Sequence, residues 1–498
     1  MSKLLRGMAA LLLVALVIPL HAGLADAGPA TCENRTNSST AKLLECVTLA
    51  GVREHQAAFQ AIADANGGNR FSGLPGHDAS VDYVVERLEA AGYDPEVQPF
   101  DYLAFQVIGP SALQQTAPNA VTYTEGVDFG VIDQSDPGDE TAAVTAVDLQ
   151  LGLGNTSTSG CEAADFAGFP QGNIALLQRG TCTFELKAEN AAAAGAVGIV
   201  IFNQGNTDAE DRNNIPAVTL TANNTSGIPV LGTTYDLGET LAGLVPGGLT
   251  MRVFANTLRE IKTTFNVLAE TNSGNDNNVV MVGAHLDSVF AGPGINDNGS
   301  GSGAILEVAE AMQKVKPNNT VRFAWWGAEE SGLVGSTNYV NGLSQAERDR
   351  IALYLNFDMI GSPNYVRFVY DGDNTLNTPN VNIPPGSAAI ERFFVDFYTA
   401  RGLQSEPTAF DGRSDYGPFI AAGVDIPAGG LFTGAEGIKT LAQRDVYGGV
   451  AGQQYDPCYH AACDTFSNNN NDVLDLNADA VAAATLTYAM STATVTGP

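Results

Sequence analysis

The chain has 498 residues, 44% of them apolar and only 16% charged, which suits two domains with substantial cores and excludes a disordered polyelectrolyte. Against 24 Lys and Arg stand 55 Asp and Glu, a formal net charge of −31, so repulsion argues against nucleic acid or an anionic membrane surface as partner.

Lys3 and Arg6 precede the apolar run Met8 to Leu20, and Ala25-Asp26-Ala27 then offers a small-x-small cleavage site. This is the layout of a secretory signal peptide over residues 1–27. The run is short for a bilayer-spanning helix and no later stretch reaches that length, so the expectation is a secreted or periplasmic chain without a membrane anchor. Residues 40–100 read as helix, loop, helix and strand, with Ser80 expected as an N-cap and Gly92 as a helix stop. From about 110 to 255 the runs are short and β-rich, with many Gly, Thr and Asn. From 256 onward β-branched runs alternate with helical segments: NVVMVGAHLDS, AILEVAEAMQKV, NTVRFAWWGAEES and IALYLNFDMIG. The Asn run 468–471 reads as a loop. Such alternation predicts an α/β sheet with helices on both faces, whose reactive residues gather past the carboxyl ends of the strands.

Six cysteines fall at 32, 46, 161, 182, 458 and 463. In an exported chain they are expected as disulfides, and local clustering favours Cys32–Cys46, Cys161–Cys182 and Cys458–Cys463. A zinc-thiolate site is the alternative, but no C-x-x-C pair exists to begin one.

His285 ends the strand VVMVGAH, Asp287 follows, and Asp297 lies in the loop GPGINDNGSGSG. The strand TVRFAWW ends in Gly327-Ala328-Glu329-Glu330, and ALYLNF ends in Asp358-Met359. Far downstream, His460 sits in CYHAACD. Carboxylates gathered that closely repel one another unless a cation sits between them. Histidine with carboxylate suits zinc, with cobalt or manganese as substitutes. The set exceeds the needs of one tetrahedral ion and suits a bridged pair.

At these residues the sequence resembles the exported di-zinc aminopeptidases of the bacterial leucyl aminopeptidase and aminopeptidase Y family. NRFSGLPGHDASVDYVVERLEAAGY, GAHLDS, GINDNGSG, WWGAEESGLVGS, NFDMIG, FDGRSDYGPF, PAGGLFTGAE and YHAACDTF follow in that family's order. The resemblance implies a mixed, mainly parallel sheet sandwiched by helices. It implies two zinc ions, one on His285, Asp297 and Asp358 and the other on Asp297, Glu330 and His460. It also implies Glu329 as general base, Asp287 as the carboxylate orienting His285, and Tyr459 as oxyanion donor. Met359, Gly412, Arg413 and Phe432 would line the first-residue pocket. GNIALLQRGTCTFELKAENAAAAGAVGIVIFNQ resembles a protease-associated domain, in which Cys161 and Cys182 match the usual disulfide. The implied organisation is a signal peptide at 1–27, a peptidase domain in two parts, 28–109 and 256–498, and an inserted protease-associated domain at 110–255.

The expected activity is removal of a large apolar first residue, such as Leu, from peptides or protein N-termini. A carboxypeptidase with the same metal site would need a base to grip the terminal carboxylate, and Arg413 is the only obvious one beside the motifs. A single-zinc acyltransferase of the glutaminyl cyclase type shares the fold, and counting bound metal separates it. A non-enzymatic receptor on a dead peptidase scaffold is opposed by the intact ligands and Glu329.

Overall fold

The computed structural model describes Cys32 and residues 34–497; the expected signal peptide at 1–27 lies outside the described residues. The described residues form two eight-stranded sheets. The first runs, in spatial order, Glu96–Val107, Thr257–Glu270, Asn319–Trp326, Asn275–His285, Ile351–Phe357, Ala428–Phe432, Phe368–Tyr370 and Glu406–Thr408. Its four central strands, from Asn319–Trp326 to Ala428–Phe432, are mutually parallel, and antiparallel pairings lie toward the edges. This is the mixed, mainly parallel sheet the motifs imply.

Alternation along the central strands sends side chains into two separate cores. Val280, Val282 and Ala284 face one side with Leu353, Leu355 and Phe357, while Val279, Met281 and Tyr354 face the other. Helices Leu49–Ala65, Pro75–Ala90, Gly299–Met312, Ser387–Thr399 and Asn471–Met490 cover the first side with Phe59, Val84, Ile305, Phe394 and Val481. Helices Val334–Gly342 and Tyr416–Ile420 cover the second through Tyr339 and Phe419. Register then levels the strand ends: His285 lies opposite Trp326, Gly283 opposite Asn356, and Asn356 opposite Gly430. The segments that follow these strands therefore emerge side by side at one edge.

Two local expectations need correction. Ser80 is not an N-cap, because the helix begins at Pro75 with Leu74 as its cap. Proline presets the backbone angle and lacks the N–H that a first turn leaves unpaired, so the helix starts earlier. Ser80 is buried inside it and donates from Oγ to the Gly76 carbonyl at 2.8 Å. The Asn run is not wholly loop either: Asn470 caps the helix Asn471–Met490, its Oδ1 accepting from the amides of Asp472 and Val473. Gly92 does stop its helix. At φ +84° its amide donates to the Glu89 carbonyl and that of Tyr93 to Leu88, the paired bonds of a Schellman end.

The second sheet takes its strands from Ala112 to Ala255, between Glu96–Val107 and Thr257–Glu270 of the first. It carries its own cores, with helices Phe184–Ala193 and Tyr235–Leu244 packed on it. Arg259 ties the two sheets together, pairing with Asp136 at 3.2 Å and donating to the Asn224 carbonyl at 2.8 Å. The disulfides are Cys32–Cys46, Cys161–Cys182 and Cys458–Cys463. Among the described residues, no helix is long and apolar enough to cross a membrane.

Candidate metal centre

Three neighbouring strands deliver the acidic cluster. Asn275–His285 ends in His285 itself, Asn319–Trp326 leads into Glu329 and Glu330, and Ile351–Phe357 leads into Asp358. The backbone turns sharply there. Ala328, Met359 and His460 all hold left-handed conformations, with φ of 53°, 51° and 54°, a strain that non-glycine residues retain only where their surroundings fix it.

His285 is buried, and its Nε2 faces oxygens of Asp297 at 3.1 Å, Asp358 at 3.3 Å and Glu329 at 3.8 Å. Its Nδ1 faces the Asp287 carbonyl at 3.2 Å and carboxylate at 3.6 Å. His460 reaches in from its own loop, with Nε2 at 3.4 Å from the second Asp297 oxygen and 3.0 Å from Glu330. Asp297 thus stands between the two histidines. Donor atoms of His285, Asp297 and Glu330 lie within 4.8 Å of one another, as do those of His285, Glu329 and Asp358.

Charge is crowded here. Burial raises the Glu329 carboxyl well above its ordinary range and pushes Glu330 up to about 7, Asp297 adding to the latter. Burial opposes the His285 cation, but Glu329, Asp358, Asp287 and Asp297 outweigh it and raise the group well above its usual value. Burial likewise opposes the charge on His460, which Asp297 and Glu330 nonetheless raise to about 10.

The donor set fits divalent cations. One Nε2 proton on His285 cannot serve the three carboxylates around it. Glu330 Oε1 and Asp358 Oδ1 are buried with no hydrogen-bond donor, a costly arrangement that a cation would relieve.

The expected site residues converge. Asp297, Glu329, Glu330, Asp358, Tyr459 and His460 line a cleft of about 260 Å³, and Met359, Gly412, Arg413 and Phe432 also line it. Asp287 and His285 lie buried behind it. Tyr459 stacks on His460 at 3.8 Å and accepts from Arg413 at 3.1 Å, while Arg413 also pairs with Glu436 at 2.8 Å.

Sequence reasoning missed the layer behind. Ser414 donates to Asp358 Oδ2 at 2.6 Å and accepts from Asn356 at 2.8 Å. Asp464 accepts from the backbone amides of Asn296 and Asp297 at 2.9 and 3.0 Å. Buried Arg70 donates to the carbonyls of Leu286, Pro293 and Gly294, tying down the loop after His285. Ser414, Asp464 and Arg70 all sit inside quoted motifs, FDGRSDYGPF, YHAACDTF and NRFSG, and that was their only signal.

At two other acidic clusters protein groups already donate to the carboxylates, although His55 Nε2 stays buried without a hydrogen-bond partner among the described residues. At His55, Glu307 and Glu310, Thr48 donates to Glu307 and Arg87 holds Glu310. At Asp371, Asp373 and Glu391, backbone amides fill the carboxylates.

Residues 266–485 match peptidase family M28, and residues 141–241 match the PA domain. Over 468 residues the chain is 53% identical to an aminopeptidase of Pseudomonas aeruginosa, covering 94% of this chain and 86% of that one. The chain belongs to peptidase family M28. It is also 42% identical over 449 residues to leucine aminopeptidase 2 of Trichophyton equinum, covering 89% of this chain and 84% of the relative. The solved structure of a zinc aminopeptidase from Bacillus subtilis is similar at 25% identity with a TM-score of 0.57, covering 88% of this chain and 94% of that one. In this M28 chain the PA match lies within the second sheet, and the M28 match begins on the strand Thr257–Glu270 that returns to the first. The motifs and the family agree.

Proposed function

We propose that this M28 chain is an exported, zinc-dependent aminopeptidase that removes a large apolar first residue from peptides and protein N-termini. The observation that carries it is the nest at Asp297: two histidines and three further carboxylates gathered around one shared side chain at a cleft. In this reading His285, Asp297 and Asp358 hold one ion, and Asp297, Glu330 and His460 hold the other, two zinc ions per chain. When bound, such a pair supplies a more acidic water and polarises the scissile carbonyl.

Glu329 opens onto the cleft and serves as base, taking the water's proton and passing it to the leaving amine. Asp287 supports this twice, since it lies against His285 Nδ1 and its Oδ1 accepts the Glu329 amide at 3.2 Å. Tyr459, held by Arg413, donates to the oxyanion, a contribution of about 2.7–4 kcal/mol by analogy with other oxyanion donors. The carboxylates attract the substrate's amino group to the metal centre and so restrict attack to the first residue. Met359 and Phe432 make the adjoining wall apolar, which favours Leu, Met or Phe. Arg413 is the only Lys or Arg among the cleft-lining residues, and Glu436 already pairs with it, which weakens the carboxypeptidase alternative.

The same reading divides the chain into a signal peptide at 1–27, a peptidase domain at 28–109 and 256–498, and a protease-associated insertion at 110–255. The two sheets and the two family matches support that division. Three disulfides support export. The test is metal analysis alongside hydrolysis of a leucyl anilide. Activity should vanish with chelator, return with zinc and saturate at two equivalents. Full activity at one equivalent contradicts the bridged pair.

A further inference from the structure

Two loops build the half of the centre around His460, and they meet through a buried hydrogen-bond network. Asp464 lies at its middle, 2% exposed. Its Oδ1 accepts the Asn296 amide at 2.9 Å and Asn468 Nδ2 at 3.0 Å, while its Oδ2 accepts the Asp297 amide at 3.0 Å. Its own carbonyl accepts the Ile295 amide at 3.1 Å. One residue therefore takes three consecutive backbone N–H groups leading into Asp297. Asp456, also buried, accepts Asn296 Nδ2 at 2.7 Å, the Cys458 amide at 2.8 Å and Asn468 Nδ2 at 2.9 Å. Between these two aspartates the Cys458–Cys463 disulfide closes the short loop that presents Tyr459 and His460.

Two more buried carboxyl groups beside a carboxylate cluster are costly to ionise, burial raising both above their usual range, and a neutral side chain would avoid the cost. What a neutral side chain lacks is two acceptor oxygens. An asparagine offers one oxygen and turns its NH₂ toward the other amide, donor against donor. From this we infer that Asp464 is a positioning residue: it fixes the shared carboxylate Asp297 and the His460 loop as one unit before an ion binds. The inference rests on the proposed reading that Asp297 and His460 hold the second ion. Asp464 itself accepts from backbone amides and Asn468 and does not line the cleft.

The experiment is zinc titration against a competing chelator for the wild type and Asp464→Asn, with zinc affinity expressed per folded molecule. In the variant the ion on Asp297, Glu330 and His460 should bind roughly 10–100-fold more weakly, the range typical of groups that orient ligands, and the other, which shares only Asp297 with that loop, should weaken less. Excess zinc should restore kcat, with only the zinc concentration at half activity raised. A purely structural role would lower the melting temperature of the metal-free protein and leave the zinc affinity of the folded fraction unchanged; that result overturns the inference. If the variant does not fold, hydrogen exchange on the metal-free wild type decides. Protected amides at Asn296 and Asp297 support the pre-set loop, and fast exchange there overturns it. Wild type that takes up only one zinc overturns the two-ion reading instead, and the inference with it.

Discussion

Glu329 and Glu330 are adjacent in the chain yet meet different partners. The left-handed turn at Ala328 sends Glu330 to His460 at 3.0 Å and leaves Glu329 facing the cleft, 3.8 Å from His285. Removing the proton-accepting ability of each should therefore have separate effects. Glu329→Gln should lower turnover about 10²–10⁴-fold with metal content unchanged, whereas Glu330→Gln should lose an ion. Steady-state kinetics paired with metal analysis checks both, and a fully active Glu329→Gln enzyme would remove the proposed base. These side chains were legible because each follows a strand end, where carboxylates have few structural reasons to gather. Asp464 was not, since its partners are backbone amides, which any sequence supplies. Ser414 was hidden for a related reason: a serine that orients a ligand looks like any other loop serine until Asp358 is found 2.6 Å away.

The helix Gly299–Met312 starts in close contact with the strand that leads into Asp358. Its cap, Asn298, donates from Nδ2 to the Phe357 carbonyl at 2.9 Å and accepts the Gly301 amide at 2.9 Å. A β-carbon on Gly301 would lie 2.1 Å from that same Phe357 carbonyl oxygen and 2.5 Å from Asn298 Oδ1. The glycines in GSGSG thus let a helix start touch the strand that carries Asp358. Gly301→Ala should cost about 1–3 kcal/mol of stability, the usual effect of overpacking, and should weaken metal retention too. Urea unfolding and metal analysis test this, and wild-type values in both would show that the contact relaxes freely. The strand and helix alternation was plain in the sequence because apolar period announces itself. Helix starts were less so. Serine at 80 looked like a cap, but Pro75 had already begun the helix, and Asn470 caps a helix from inside what read as an asparagine loop.

At the scale of the whole molecule, the second sheet is an insertion with cores of its own, joined to the first by paired chain crossings and by Arg259. Its stability should carry a separate pH signature. Lys187 is buried there, and burial pushes its ammonium down from 10.5 to about 8. Below pH 8 both folded and unfolded chains hold the proton, so the cost of burying charge is fully present. Between about 8 and 10.5 the folded chain releases the proton first, the unfolded chain binds more, and stability rises with pH. The stability of wild type relative to Lys187→Met should therefore rise from pH 7 to pH 10 in urea unfolding, and a constant difference would contradict a buried charge. The insertion was readable as a separate unit from its change of texture, but its role in the enzyme was not, because no catalytic set of residues lies in it. The centre itself makes the strongest demand. A carboxylate-lined centre that takes the substrate's amino group should accept a free amino terminus and nothing bulkier. The direct test is mass spectrometry of a Leu-first peptide and its N-acetylated form after incubation with the zinc-loaded enzyme. The account predicts stepwise loss of residues from the amino end of the free peptide and an inert acetylated one; loss from the carboxyl end, or equal cleavage of both, would contradict it.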